Sequence, residues 1–169
     1  MKHKIMKRRR VGEINFAGAI VGIAVLVAIQ ILLWFVIGVP MGLFHCLRGK
    51  ISLLPRWLYL LFDLAVHALL GVAIGAALCE RRHHCEVQKY RGAFYFLLAI
   101  LFGYLYYAFF FGVGFFLVAF VLSAMELLAL LIAMLNFSRV VKISAVLSGL
   151  GCLWAFYRVF LSFTAFFSV

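Results

Sequence analysis

Residues 93–137 form one nearly uninterrupted apolar stretch. As a single helix it would be about 67 Å long, over twice the hydrocarbon thickness of a bilayer. It must therefore turn back on itself. Gly112 and Gly114 are the helix-breaking residues closest to its middle. That divides the stretch into two spans, about 93–111 and 115–137, in a tight antiparallel hairpin. Three more apolar runs of bilayer length accompany it, about 14–39, 57–79 and 143–168. The chain reads as an all-α polytopic membrane protein, a five-transmembrane-helix bundle over residues 14–169 behind a basic N-terminal segment, 1–13. Composition agrees: 68% of the 169 residues are hydrophobic and the mean hydropathy is +1.18, more apolar surface than a soluble domain of this size needs.

The net charge of +11 would point to nucleic acid in a soluble protein. Here Lys and Arg cluster at helix ends, which excludes that reading in favour of membrane topology and anionic lipid. Twelve of them fall in the N-terminus, the loop between spans two and three, and the loop after span four; only Arg48, Lys50 and Arg56 fall in the loop on the other side. The excess places the N-terminus in the cytoplasm and the C-terminus outside. The longest exterior segment is then 40–56. The N-terminus resembles the start of a signal peptide, but the apolar run behind it is too long and no small-residue cleavage site follows, so an uncleaved first helix is expected. Gly18 and Gly22 form one GxxxG pair and Gly71 and Gly75 another. Such pairs suit close helix contact, either inside the bundle or across a homodimer.

Ionisable groups inside apolar runs are expensive, roughly 2.5 to 3.5 kcal/mol each at a helix centre. This chain keeps four: Asp63, His67, Glu126 and Arg158. Counting residues from the outer ends places Asp63 about 9 Å deep, His67 and Arg158 about 15 Å, and Glu126 about 16 Å. All four share one layer, from the outer half to the midplane. Asp63 and His67 are four residues apart on one helix face, and Arg158 can close on Asp63 across the bundle. The groups either hold helices together or line a pocket; Glu126 has no assigned role. Aromatic residues gather at the same depth. Span three carries Tyr104, Tyr106 and Tyr107, and span five carries Trp154, Phe156 and Tyr157. Some belong to an interfacial belt, but flat aromatic walls with a few polar groups also describe a site for a planar apolar ligand.

Four cysteines, Cys46, Cys79, Cys85 and Cys152, show no disulfide framework. Cys79, His83, His84 and Cys85 bring two thiols and two imidazoles together, yet accepted metal spacings separate two short pairs by a longer loop, and Arg81 and Arg82 repel a cation. A plain loop is expected there, and no metal. No nucleophile, base and orienter are assignable, and there is no phosphate-binding loop. Asp63 with His67 is at most half of an acid–base set.

Through Pro55-Arg56-Trp57-Leu58-Tyr59, Leu69-Leu70-Gly71-Val72-Ala73, the run Tyr106 to Gly112, and Trp154, residues 54–169 resemble the translocator protein family (TspO/MBR, the tryptophan-rich sensory proteins), as a divergent member. The second helix of that family opens with Pro-x-Trp-hydrophobic-aromatic and ends in Leu-Met-Gly-x-Ala. Here Pro55-Arg56-Trp57-Leu58-Tyr59 and Leu69-Leu70-Gly71-Val72-Ala73 stand at the same separation. The run Tyr106 to Gly112 stands where its third helix ends, and Trp154 matches the tryptophan of its fifth. Asp63 falls where the family has Trp, His67 where it has Tyr, Gly103 where it has Asn, and Arg158 where it has a small residue. The resemblance implies a five-helix bundle that binds a porphyrin, a haem-type tetrapyrrole or a sterol-like lipid in an exterior-facing cavity, in sensing or transport. It places Trp57, Asp63, His67, Tyr107, Trp154 and Arg158 at the ligand, with Trp57, Tyr107 and Trp154 stacking, Arg158 meeting a carboxylate and His67 available to a haem iron. Three other readings stay open: a substrate-binding subunit of a small-solute transporter, a structural protein whose charges only join helices, and an enzyme using Asp63 and His67.

Overall fold

The computed structural model describes residues 16–37, 54–80 and 85–168. The basic N-terminus, most of the segment between the first two helices with His45 and Cys46, and the stretch with His83 and His84 lie outside the described residues.

Five α-helices make up the fold: α1 Phe16–Ile37, α2 Arg56–Leu78, α3 Glu86–Tyr107, α4 Phe116–Phe137 and α5 Lys142–Ser168. Each is long and apolar enough to cross a bilayer, so the chain is a multi-pass integral membrane protein. No strand occurs among the described residues. One boundary differs clearly from the sequence reading. α3 starts at Glu86, seven residues before the expected position 93. Glu86, Gln88, Lys89 and Arg91 are good helix formers, and they carry the helix past the apolar stretch that hydropathy detects.

The long apolar stretch turns at its glycines. α3 continues into a π-helical segment, Ala108–Val113, and Gly114 then takes a left-handed φ of 76°. The Phe115 N–H donates to the Phe109 carbonyl at 3.0 Å and closes the turn. A π-helical turn is wider than an α-helical one and shifts the facing of the residues after it. Phe110 and Phe111 are both buried.

The helices pack in the lateral order α1, α2, α5, α4, α3, with α3 closing back lightly on α2. The two GxxxG pairs meet each other and form the α1–α2 seam. A Cβ at Gly71 would lie 2.6 Å from the Gly22 carbonyl oxygen, and one at Gly18 would lie 2.9 Å from the Gly75 oxygen. Only hydrogen at these positions allows that approach. α4 buries Ala119, Ser123, Glu126, Leu130, Ala133 and Phe137. α5 buries Ser144, Ser148, Gly151, Ala155, Arg158, Ser162 and Ala165 among others. Alternating steps of four and three give the 3.5-residue period of interlocking helices, and mostly small side chains let those helices approach. One apolar cluster contains Leu70, Phe96, Leu130 and Phe137, and a second contains Tyr59, Tyr106, Phe110 and Phe111. The buried ionisable residues lie between them.

Candidate functional site

The chemistry of the bundle concentrates in a polar hub to which all five helices contribute. Arg158 of α5 is its centre and is wholly buried. Its Nη2 donates to Asp63 Oδ1 of α2 at 2.6 Å and to the Tyr107 hydroxyl of α3 at 3.2 Å. Its Nη1 donates to both carboxylate oxygens of Glu126 of α4, at 2.8 and 3.0 Å. The aromatic rings of Tyr107, Tyr106 and Trp154 surround the guanidinium, with centroids 4.8, 5.3 and 5.9 Å from Cζ. A desolvated cation gains from such faces. Planar, forked donors suit a residue that must hold two carboxylates at once.

Asp63 is the second centre. Its Oδ1 also accepts from Trp154 Nε1 at 2.9 Å, and its Oδ2 accepts from Gln30 Nε2 of α1. Both oxygens are thus used, and the side chain is fully buried. His67 is four residues on and nearly buried. Its Nδ1 donates to the Asp63 backbone carbonyl at 2.8 Å and stands 3.6 Å from the Asp63 carboxylate. Its ring stacks on Tyr104, at 6.1 Å and an interplanar angle of 9°. The shared face expected of Asp63 and His67 is present, but their bond runs to backbone, not between side chains.

Gly103 makes room for the ion pair. A Cβ there would lie 3.0 Å from Glu126 Oε1 and 3.1 Å from Arg158 Nη1. α3 therefore presents bare backbone where α4 and α5 exchange charge. Asp63 and Arg158 have no exposed surface, so no water-sized space adjoins them. The layer is a packed polar core.

The structure brings together five of the six residues singled out from the sequence: Asp63, His67, Tyr107, Trp154 and Arg158. Trp57 stands apart at the start of α2, 67% exposed on the outer surface. Two hub members had no role in the sequence reading. Glu126 had no partner there. Gln30 was passed over because it is uncharged, although a lone amide inside an apolar span was the signal.

Beside the hub, α2 and α5 leave a groove of about 850 Å³. Pro55, Phe62, Ala65 and Leu69 line one wall, and Leu150, Leu153, Trp154 and Tyr157 the other. Trp154 and Tyr157 stack at 5.2 Å and 26°. Trp154 belongs to both features, its ring forming groove wall while its N–H is held by Asp63. Asp63, His67, Tyr107 and Arg158 do not line the groove. Cys79 and Cys85 stand at the facing ends of α2 and α3, and the Cys85 thiol donates to the Arg139 carbonyl at 3.3 Å. Among the described residues no three potential metal ligands converge.

Comparisons with protein-family models, with curated proteins and with solved structures each find no match to this chain.

Proposed function

We propose that the chain takes up a planar hydrophobic ligand, a tetrapyrrole or a sterol-like lipid, in the groove between α2 and α5, and that it acts in sensing or transport. The observation that carries this reading is the groove itself. Its volume, about 850 Å³, falls within the range of small-molecule sites. Its walls are apolar, and one of them holds a stacked Trp154–Tyr157 pair fixed by Asp63. The resemblance to the translocator protein family supports the same ligand class. With the N-terminus cytoplasmic, as the Lys and Arg distribution favours, the groove lies in the exterior half of the bundle.

The polar hub does not face this ligand. Arg158 spends both terminal nitrogens on protein partners, which leaves neither for a ligand carboxylate without breaking the hub. His67 is packed on Tyr104 and stands outside the groove wall. The geometry therefore favours a metal-free tetrapyrrole or a sterol over a haem held through His67. Recognition rests on shape and ring stacking.

A variant with Trp34 and Trp57 changed to Phe keeps Trp154 as the single fluorophore. Titration with protoporphyrin should quench it saturably, and Ala65→Phe, which fills the groove, should abolish the saturation. Linear quenching, or saturation unchanged by Ala65→Phe, refutes the reading. A second reading, a structural protein whose polar residues only join helices, is favoured by the direct pairing of Asp63 with Arg158. It predicts no saturable quenching by either a porphyrin or a sterol.

A further inference from the structure

The hub contains two carboxylates, Asp63 and Glu126, and one guanidinium, Arg158, in direct contact. If both acids were ionised, the interior of the bundle would hold one uncompensated negative charge. A lone buried charge is expensive in any low-dielectric interior, and more so at membrane depth. One further proton must therefore reside here. The titratable groups facing the hub are Asp63, His67 and Tyr59 from α2, Tyr104, Tyr106 and Tyr107 from α3, Glu126 from α4, and Arg158 and Cys152 from α5. α1 contributes only the amide of Gln30.

Hydrogen-bond chemistry decides which of them carries the proton. Asp63 accepts from Trp154, Arg158 and Gln30. An indole N–H and a guanidinium are donors only. A proton on Oδ1 would point at two donors, so that oxygen suits only the ionised acid. His67 commits its Nδ1–H to the Asp63 backbone carbonyl, so it shares no proton with either carboxylate. At 3.6 Å it makes no hydrogen bond to the Asp63 carboxylate. Glu126 differs from Asp63. Both of its oxygens share a single nitrogen, Arg158 Nη1, and the described hydrogen bonds give it no second donor. One oxygen suffices to accept from that nitrogen, which leaves the other to carry hydrogen.

We infer that the hub is a proton-binding site inside the membrane, with one exchangeable proton on the Glu126 carboxyl. The step is simple protonation: a carboxylate oxygen lone pair forms an O–H bond and no electrons are transferred. With the proton bound, Arg158 and Asp63 form a neutral pair and Glu126 is a neutral acceptor. When it leaves, two anions compete for one guanidinium across α2, α4 and α5. The ligand of this site is the proton itself, and the site stands whether or not the groove binds a tetrapyrrole.

Infrared spectroscopy of the full chain in lipid nanodiscs tests this directly. At neutral pH the wild-type protein should show a protonated-carboxyl C=O band that shifts in heavy water. Glu126→Gln should remove the band and His67→Gln should retain it, whereas Asp63→Asn should remove it, because Glu126 is then the one carboxylate facing Arg158 and ionises. Labelling the wild-type protein gives an assignment without substitution, which covers a variant that fails to fold. Asp63 is the only aspartate in the sequence. Carboxyl-labelled glutamate should therefore move the band and carboxyl-labelled aspartate should leave it in place. No band in the wild type overturns the proposal, because the hub would then be fully ionised. A band that follows the aspartate label, or survives Glu126→Gln, overturns it by placing the proton elsewhere.

Discussion

Gly71→Ala puts a methyl group into a backbone-to-backbone contact between α1 and α2. Its Cβ would lie 2.6 Å from both the carbonyl carbon and oxygen of Gly22, and 2.6 Å from the Ile23 nitrogen. These are backbone atoms, so no side chain can rotate away. Ordinary contact begins near 3.4 Å, so α1 must retreat from α2 by about 0.8 Å. Overpacking of this kind costs about 1 to 3 kcal/mol. The same movement acts at the hub. Gln30 reaches Asp63 from α1 at 2.5 Å, and an added ~0.8 Å carries that bond past the 3.2 Å limit of a sound N–H···O contact. Interhelical hydrogen bonds in membranes average about 0.6 kcal/mol, so the combined loss is about 1.6 to 3.6 kcal/mol.

The assay has to report packing. Transmembrane helices keep their backbone hydrogen bonds when they separate, so helical content is a poor readout. Cys79 is better placed, because its Sγ lies against Gly18 in the same seam. In a variant retaining Cys79 alone, Gly71→Ala should raise the thiol-labelling rate roughly 15- to 450-fold, the equivalent of about 1.6 to 3.6 kcal/mol of opening. The Gln30→Ala change should add little in the Gly71→Ala background, since the bond it removes is already stretched. A labelling rate within about twofold of wild type, which is under 0.5 kcal/mol, refutes the claim that the glycine seam sets the α1–α2 distance.

Two further outcomes follow from the hub. Arg158→Lys keeps the charge but replaces a planar fork by a point donor that cannot hold Asp63 and Glu126 together; SDS-titration unfolding should show a loss of about 2 to 4 kcal/mol, the scale of breaking a buried ion pair. Gly103→Val drives a branched side chain into the Glu126–Arg158 contact and should destabilise by about 2 kcal/mol or more in the same assay, whereas Gly149→Ala, whose Cβ meets only the Met134 sulfur at 3.3 Å, should stay within about 0.5 kcal/mol.

The five spans and the turn near Gly114 were legible because a bilayer imposes a length on every apolar run. That Asp63 and Arg158 share one layer and can close on each other was legible for the same reason, and the two meet at 2.6 Å. Depth, however, is one coordinate of three. Which helices are lateral neighbours and how each is rotated are fixed by packing, and Glu126 needs both to find Arg158. The information was partly present. Glu126 and Arg158 each occupy a position in a 3.5-residue series of small, buried residues, and Gly103 lies in a similar series on α3. A charge in such a seam faces a neighbouring helix, not lipid. The start of α3 was missed because hydropathy measures immersion in lipid, and a helix can continue past the lipid boundary.

Trp154 connects the two features of the bundle and sets their relation. Its ring stacks on Tyr157 in the groove wall, and its N–H is one of three donors to Asp63. An occupant that turned the indole would take one donor from a buried carboxylate, and a hydrogen bond to a charged group contributes about 1.5 to 3 kcal/mol. The ring is thus held by the hub, and the groove presents a preformed wall. Preformed walls favour flat, rigid ligands over flexible chains, because binding then requires little ordering on either side. The polar core of this protein therefore bears on ligand shape without touching the ligand. An acyl chain fills the same groove only by fitting a surface that an Asp63-tethered ring keeps flat.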